Sequence, residues 1–210
     1  MQGVIEDVLY RVRGERERIA LTVAGRTDRG VHATGQVASH AGPPVDVYTL
    51  NAMLPYDVSI LASEAAPDGF DARRDALSRT YRYRLFTRRE PSPFEHLRAL
   101  HHPKPIDEQL LQGAAAAIVG THDFTAFTPT ETAHVRFERV VLDARWERES
   151  EHVLVLHVTG DAFMRNMIRV LIGTMIEVGT GKRSLDDFAA LLTGRPRDEA
   201  GVTAVPHGLY

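Results

Sequence analysis

Residues 24–40 read AGRTDRGVHATGQVASH, and the rest of the chain is best read outward from this stretch. Arg26, Thr27, Asp28, Gly30, His32 and Gly35 fall within one short turn-forming segment. It follows the apolar run Ile19-Ala20-Leu21-Thr22-Val23, which reads as a buried strand. An acid set between two arginines at the mouth of a strand is where sheet proteins place chemistry. Glycines 25, 30 and 35 allow positive φ and a close approach of backbone to a ligand. A neighbouring Arg26 suits an ionised carboxylate, acting as nucleophile or as electrostatic stabiliser. From spacing alone, a polar loop with one structural ion pair is an equal reading.

Around this loop the elements follow from periodicity. Residues 2–13, QGVIEDVLYRVR, carry Val4, Ile5, Val8, Leu9 and Val12 at helical spacing, with Gly14 as a stop. Strands are predicted over 17–23, 36–40, 58–63 and 78–87, and a helix over 46–53. In 78–87, period two puts Tyr81, Tyr83 and Leu85 on one face and Arg82 and Arg84 on the other. Pro91, Pro93, Pro103 and Pro105 mark a connecting loop around a short extended piece at 97–101. A helix over 107–119, ended by Gly120, begins a second half. A hairpin follows, with strands 137–148 and 152–159, then helices over 163–178 and 184–192 and a last strand from Val205. This order predicts an α+β fold. It divides into an N-terminal half over 1–90, a connecting loop over 91–105 and a C-terminal half over 106–210.

Composition narrows the function classes. The 210 residues are 43% hydrophobic and 25% charged, enough for one or two packed domains. No apolar run approaches the ~18 residues of a membrane span, no signal peptide is visible, and there is no cysteine for a disulfide or thiolate site. These features point to the cytoplasm. The ten histidines form no HExxH motif and no metal is predicted; the glycine-rich loop matches neither a P-loop nor a dinucleotide fingerprint. Net charge is −3, so any nucleic-acid binding rests on local patches. Residues 71–89 supply one, with seven arginines interleaved with Tyr81, Tyr83 and Phe86. Taken alone, that stripe reads first as a solvated strand face and second as an RNA-binding surface.

The string GRTDRGVHATGQV resembles the signature of the TruA family, the tRNA pseudouridine synthases that modify uridines of the anticodon stem-loop. Four further blocks, in the family's order, are similar to its segments: NAMLPYDVSI at 51–60, FDARRDALSRTYRYRLF at 70–86, DAFMRNMIRVLIGTMIEVGTGK at 161–182 and AVPHGLY at 204–210. The resemblance implies two ferredoxin-like halves sharing a mixed, mostly antiparallel sheet, with helices on one face and a central cleft. It implies an isomerase acting on tRNA, a homodimer, and no cofactor.

Carried over residue by residue, the family's catalytic aspartate is Asp28, and Tyr81 is the aromatic that meets the target base. A flipped uridine costs a few kcal/mol to unstack, which stacking at ~1–3 kcal/mol per base offsets. A core tyrosine is the plainer reading of Tyr81. Arg169 lies among Met167, Ile168, Val170, Leu171 and Ile172, and arginine in apolar company needs a partner. Asp28 is the candidate, consistent with the family's arginine here; snorkelling to water is the alternative. Arg165, one turn earlier on the predicted helix, is a candidate phosphate contact, as are Arg29, Arg82 and Arg84. Arg26 either intercalates where the uridine leaves or clamps a phosphate. His32 reads as a loop-structuring hydrogen-bond partner.

Three departures from the family pattern frame the alternative. The family opens with a strand before its first helix, whereas this chain begins at MQGVIEDVL, inside that helix. The chain ends at HGLY, before the family's final strand, and Arg29 stands where the family has a small Ala. The alternative expectation is therefore a truncated or inactive RNA-binding module of the same fold. A hydrolase built on Asp28 would need a second carboxylate or His, and no motif places one.

Overall fold

The computed structural model describes residues 1–14 and 19–210, which form two compact units. The first comprises Met1–Arg26 and Gly35–Ala76; the second comprises Thr27–Thr34 and Leu77–Tyr210. The architecture is mixed α+β.

In the first unit, helix α1 (Gln2–Arg13) ends at Gly14 in the left-handed conformation, φ 60°. Its Val8 and Leu9 join Ile19, Leu21 and Leu50 in a small core. Glu6 accepts from the Leu21 amide at 3.0 Å, and Gln2 donates to the Leu21 carbonyl at 2.8 Å. Strands β1 (Thr22–Val23) and β2 (Ala38–Ser39) pair antiparallel with each other. The strand expected over 17–23 is thus two residues long, with 17 and 18 outside the described residues. Helix α2 (Val47–Met53) is capped by Asp46, whose carboxylate accepts from the Thr49 amide at 2.8 Å. No strand forms over 58–63. There the Asn51 side chain takes both backbone groups of Ile60, each at 2.8 Å, in place of a strand partner.

The second unit is built on a five-stranded sheet in the order β4-β3-β7-β6-β5. Its strands are β3 (Arg79–Phe86), β4 (Leu100–His101), β5 (Gly120–Asp123), β6 (Glu138–Ser150) and β7 (Val153–Gly160). β3 and β4 run parallel and the other pairs antiparallel. Helices α3 (Glu108–Ala117), α4 (Met167–Gly179) and α5 (Leu185–Ala190) complete it. Tyr83, Leu85, Leu111, Phe127, Leu156 and Leu171 belong to one core. Phe86, Ala99, Val153 and Val155 form another small cluster. Because successive strand residues point to opposite faces, β7 is buried on both sides along its first four residues.

Several boundaries move. α4 starts at Met167 rather than 163, because Asn166 takes a left-handed φ of 59° as its N-cap and breaks the apolar run. α3 stops at Ala117; Gly120, at φ 111°, opens β5 instead of capping the helix. β5 was not expected, since GTHD lacks apolar alternation. The 138–160 hairpin turns at Glu151 and His152, later than expected. In place of a last strand, Pro206–Gly208 is a 3-10 turn, after which Leu209 bridges antiparallel to Tyr83.

Candidate active site

The second unit brings Asp28, Tyr81 and Arg169 together from a loop, a strand and a helix. Arg169 lies on the first turn of α4, and its guanidinium has three acceptors. Nε donates to the Ala204 carbonyl at 2.7 Å; Nη1 donates to Asn166 Oδ1 and to Asp28 Oδ2, each at 3.2 Å. Arg169 is 17% exposed and Asp28 is 45% exposed, so a fixed cation meets an accessible carboxylate. This is the partner expected for Arg169.

Glycine makes the arrangement possible. Gly173 sits one turn after Arg169, and a Cβ there would lie 1.8 Å from the Val202 carbonyl oxygen. The 202–204 segment therefore crosses α4 in contact with its backbone, which puts the Ala204 carbonyl against Arg169 and the Ala204 amide 3.0 Å from the Arg169 carbonyl. Gly30, at φ 84°, closes the Asp28 turn against Pro206, 3.1 Å from where a Cβ would stand. The Val31 amide donates to the Asp28 carbonyl at 3.1 Å within the same turn.

Tyr81 pairs with Val158 across β3 and β7 and packs edge-on against Phe163, with ring centroids 5.2 Å apart. Burial raises its phenol above the ordinary value; Arg79 opposes the rise and the Asp28 charge adds to it. The hydroxyl is thus a protonated donor at neutral pH, electrostatically coupled to Asp28. Tyr83, the second tyrosine of the strand, is fully buried and donates to the Val205 carbonyl at 2.9 Å, which makes it a structural residue.

The other candidates divide. Arg26 is exposed and belongs to the first unit. Arg29 is exposed. Arg165 is exposed too, but it lies before α4 rather than within it, so the helical spacing that paired it with Arg169 does not apply. Arg84 is only 14% exposed and is held by Glu95 at 2.6 Å and Glu149 at 2.8 Å. Burial works against its charge, and those two carboxylates more than compensate. Arg82 lies over the Tyr210 ring at 4.8 Å and 3.7 Å from Glu149. The guanidinium of Arg84 is committed to the protein's own acids, whereas that of Arg165 meets no acid among the described residues.

Sequence reasoning passed over Asn166, Phe163 and the carbonyls of Ala204 and Val205. Asn166 carried a usable signal, since asparagine is among the few residues that tolerate left-handed φ. A backbone acceptor carries none. Among the described residues no group of three or more His, Asp or Glu side chains converges, and no helix is long and apolar enough to cross a membrane.

Known proteins have similar sequences. A family profile described as tRNA pseudouridine synthase matches residues 114–210. Proteins named tRNA pseudouridine synthase A are similar over the whole chain, with 38% identity in Bacillus licheniformis and 37% in Bacillus subtilis, where 87% of each relative is covered. The relative from Roseiflexus sp. is 40% identical, with 79% of it covered. The three residues that converge here come from motifs distributed along that same length. With this similarity across all of its residues, the chain belongs to the tRNA pseudouridine synthase A family.

Proposed function

We propose that this chain converts uridine to pseudouridine in the anticodon stem-loop of tRNA, with Asp28 as the reacting carboxylate. The observation that supports this most directly is the Asp28–Arg169 ion pair. The reaction breaks the N1–C1′ bond, turns the uracil over and joins C5 to C1′; N1 gains a proton and C5 loses one. Nothing enters or leaves the nucleotide, so the chemistry requires a placed carboxylate and a pocket for the detached base. Asp28 attacks C1′, adds to the base or removes a proton, and all three routes use the ionised carboxylate. Arg169 orients it. Tyr81 stacks on the extruded base, and its hydroxyl helps move the C5 proton. Arg26 fills the gap left by the uridine or clamps a phosphate, and Arg29 and Arg165 meet the RNA backbone.

The proposal extends to the family plan of two ferredoxin-like halves and to a homodimer whose subunits share one stem-loop. It carries no metal and no cofactor. The test is pseudouridine formation in unmodified tRNA transcripts, parent against Asp28→Ala. Product from the parent alone supports the assignment. Equal product from both removes Asp28 from the mechanism. Binding without product in either would favour the RNA-binding module.

A further inference from the structure

We infer that His32 is a positioning residue for the Asp28 carboxylate, tying the 27–34 segment to the turn at 95–98 and to Leu209 and Tyr210; the inference rests on the reading of Asp28 just given. His32 follows Asp28 by four residues and is held in three ways. Its amide donates to the Leu209 carbonyl at 3.0 Å. Its ring Nε2 lies 2.8 Å from the Leu97 carbonyl, an acceptor only, so Nε2 carries the proton. Its ring stacks on Tyr210, with centroids 4.7 Å apart and planes inclined by 22°.

Both partners of the His32 ring are themselves fixed. Tyr210 exchanges backbone hydrogen bonds with Arg82 at 2.8 and 3.0 Å, and its hydroxyl donates to the Arg98 carbonyl at 3.0 Å. Leu97 has a φ of 57°, a left-handed conformation uncommon for a bulky residue. Backbone of this kind persists only where its surroundings over-determine it, and the carbonyls of Leu97 and Arg98 are both engaged from outside the turn, by His32 and Tyr210. Between His32 and Asp28 the chain is a tight turn with Gly30 against Pro206, so displacement of the ring moves the carboxylate. Arg169 touches Asp28 through a single nitrogen. The backbone must therefore supply most of the placement. An error of about 1 Å in a reacting group costs on the order of 100-fold in rate.

The test uses the full chain and two readouts. His32→Phe keeps the stack and removes the donor; His32→Gln restores an amide donor at the reach of Nε2; Tyr210→Leu removes the stacking partner. Hydrogen exchange over residues 27–34 is measured beside steady-state kinetics on tRNA. His32→Phe and Tyr210→Leu are expected to speed exchange in 27–34 by about tenfold and leave α4 unchanged, with kcat down about tenfold or more and KM within about twofold. His32→Gln keeps a donor but loses the ring, so it should recover the part of both that the Leu97 hydrogen bond supplies and keep the part lost in Tyr210→Leu. Unchanged exchange in 27–34 would overturn the inference, as would a raised KM with parental kcat, or equal loss of protection in α4. If exchange responds while the parent itself makes no pseudouridine, the assigned reaction is wrong and the clamp stands.

Discussion

Arg169 Nη1 lies 3.2 Å from Asp28 Oδ2, although 141 positions separate the two residues in sequence. The pair joins the first turn of α4 to the loop, and the cation has partners of its own besides the anion. Nε is bound to Ala204, Asn166 receives the same Nη1 that reaches Asp28, and the Arg169 carbonyl takes the Ala204 amide. The carboxylate itself remains 45% exposed.

This fork predicts that lysine does not replace Arg169. A compact ammonium cannot span the Ala204 carbonyl and Asp28 in the planar geometry that guanidinium offers. Hydrogen bonds to charged groups are worth ~1.5–3 kcal/mol. Arg169→Lys is therefore expected to lower single-turnover pseudouridine formation by roughly 10- to 100-fold, with an unchanged far-ultraviolet circular dichroism spectrum. A parental rate in Arg169→Lys would show that charge alone suffices.

Gly173 makes a second prediction, about packing. A methyl group there would overlap the Val202 carbonyl oxygen, which is backbone and cannot swing aside. Overpacking of this kind costs ~1–3 kcal/mol, equivalent to a fall of roughly 2–12 °C in melting temperature for a protein of this size. Gly173→Ala should show that fall in a thermal melt and also lose activity, because the displaced 202–204 segment carries the acceptor for Arg169. An unshifted melt with full activity would contradict the crossing geometry.

The legible parts of this molecule are those written in side chains. α1 and β3 follow from apolar spacing, and the left-handed Gly14 and the Asp46 cap follow from residue type. The errors fall where another group captures the backbone. Residues 58–63 read as a strand, but the Asn51 amide occupies Ile60. The apolar run from Phe163 looks like the start of a helix, and only the φ of Asn166 delays it to Met167. At the site, Asp28, Tyr81 and Arg169 were readable through their motifs. The carbonyls that aim Arg169 and Tyr83 were not, since any residue at 204 or 205 would offer one.

Two histidines contribute to the pH response of folding. Burial holds His102 below the ordinary imidazole value of 6.5, and Lys104 and His101 push it further down. Burial lowers His207 likewise; a backbone contact with Ala99 opposes this, while His96 and His32 add to it. The unfolded chain takes up these protons near 6.5 and the folded chain only at lower pH. Between those values the unfolded state binds more protons, so stability rises with pH and is lost as pH falls below 6.5. Melting temperature should decline from pH 7.5 towards about 5, and His207→Gln should flatten that decline. A midpoint that climbs on acidification would reverse the sign.

Arg165 and Arg84 give opposite predictions from the same residue type. Arg165 is exposed ahead of α4, and its backbone carbonyl accepts from the Thr128 hydroxyl at 3.2 Å. Arg84 is enclosed by Glu95 and Glu149. If tRNA phosphate lies over this surface, Arg165→Ala removes one released counterion and reduces the slope of log affinity against log salt by about 1. Arg84→Ala instead leaves the half-buried Glu95 without its cation and Glu149 with Arg82 alone. It should lower the melting temperature while leaving the salt slope at its parental value. Filter binding of tRNA between about 50 and 200 mM salt separates the two outcomes. A reduced slope in Arg84→Ala, with Arg165→Ala unchanged, would return the strand face to the RNA and leave Arg165 as a solvated surface residue.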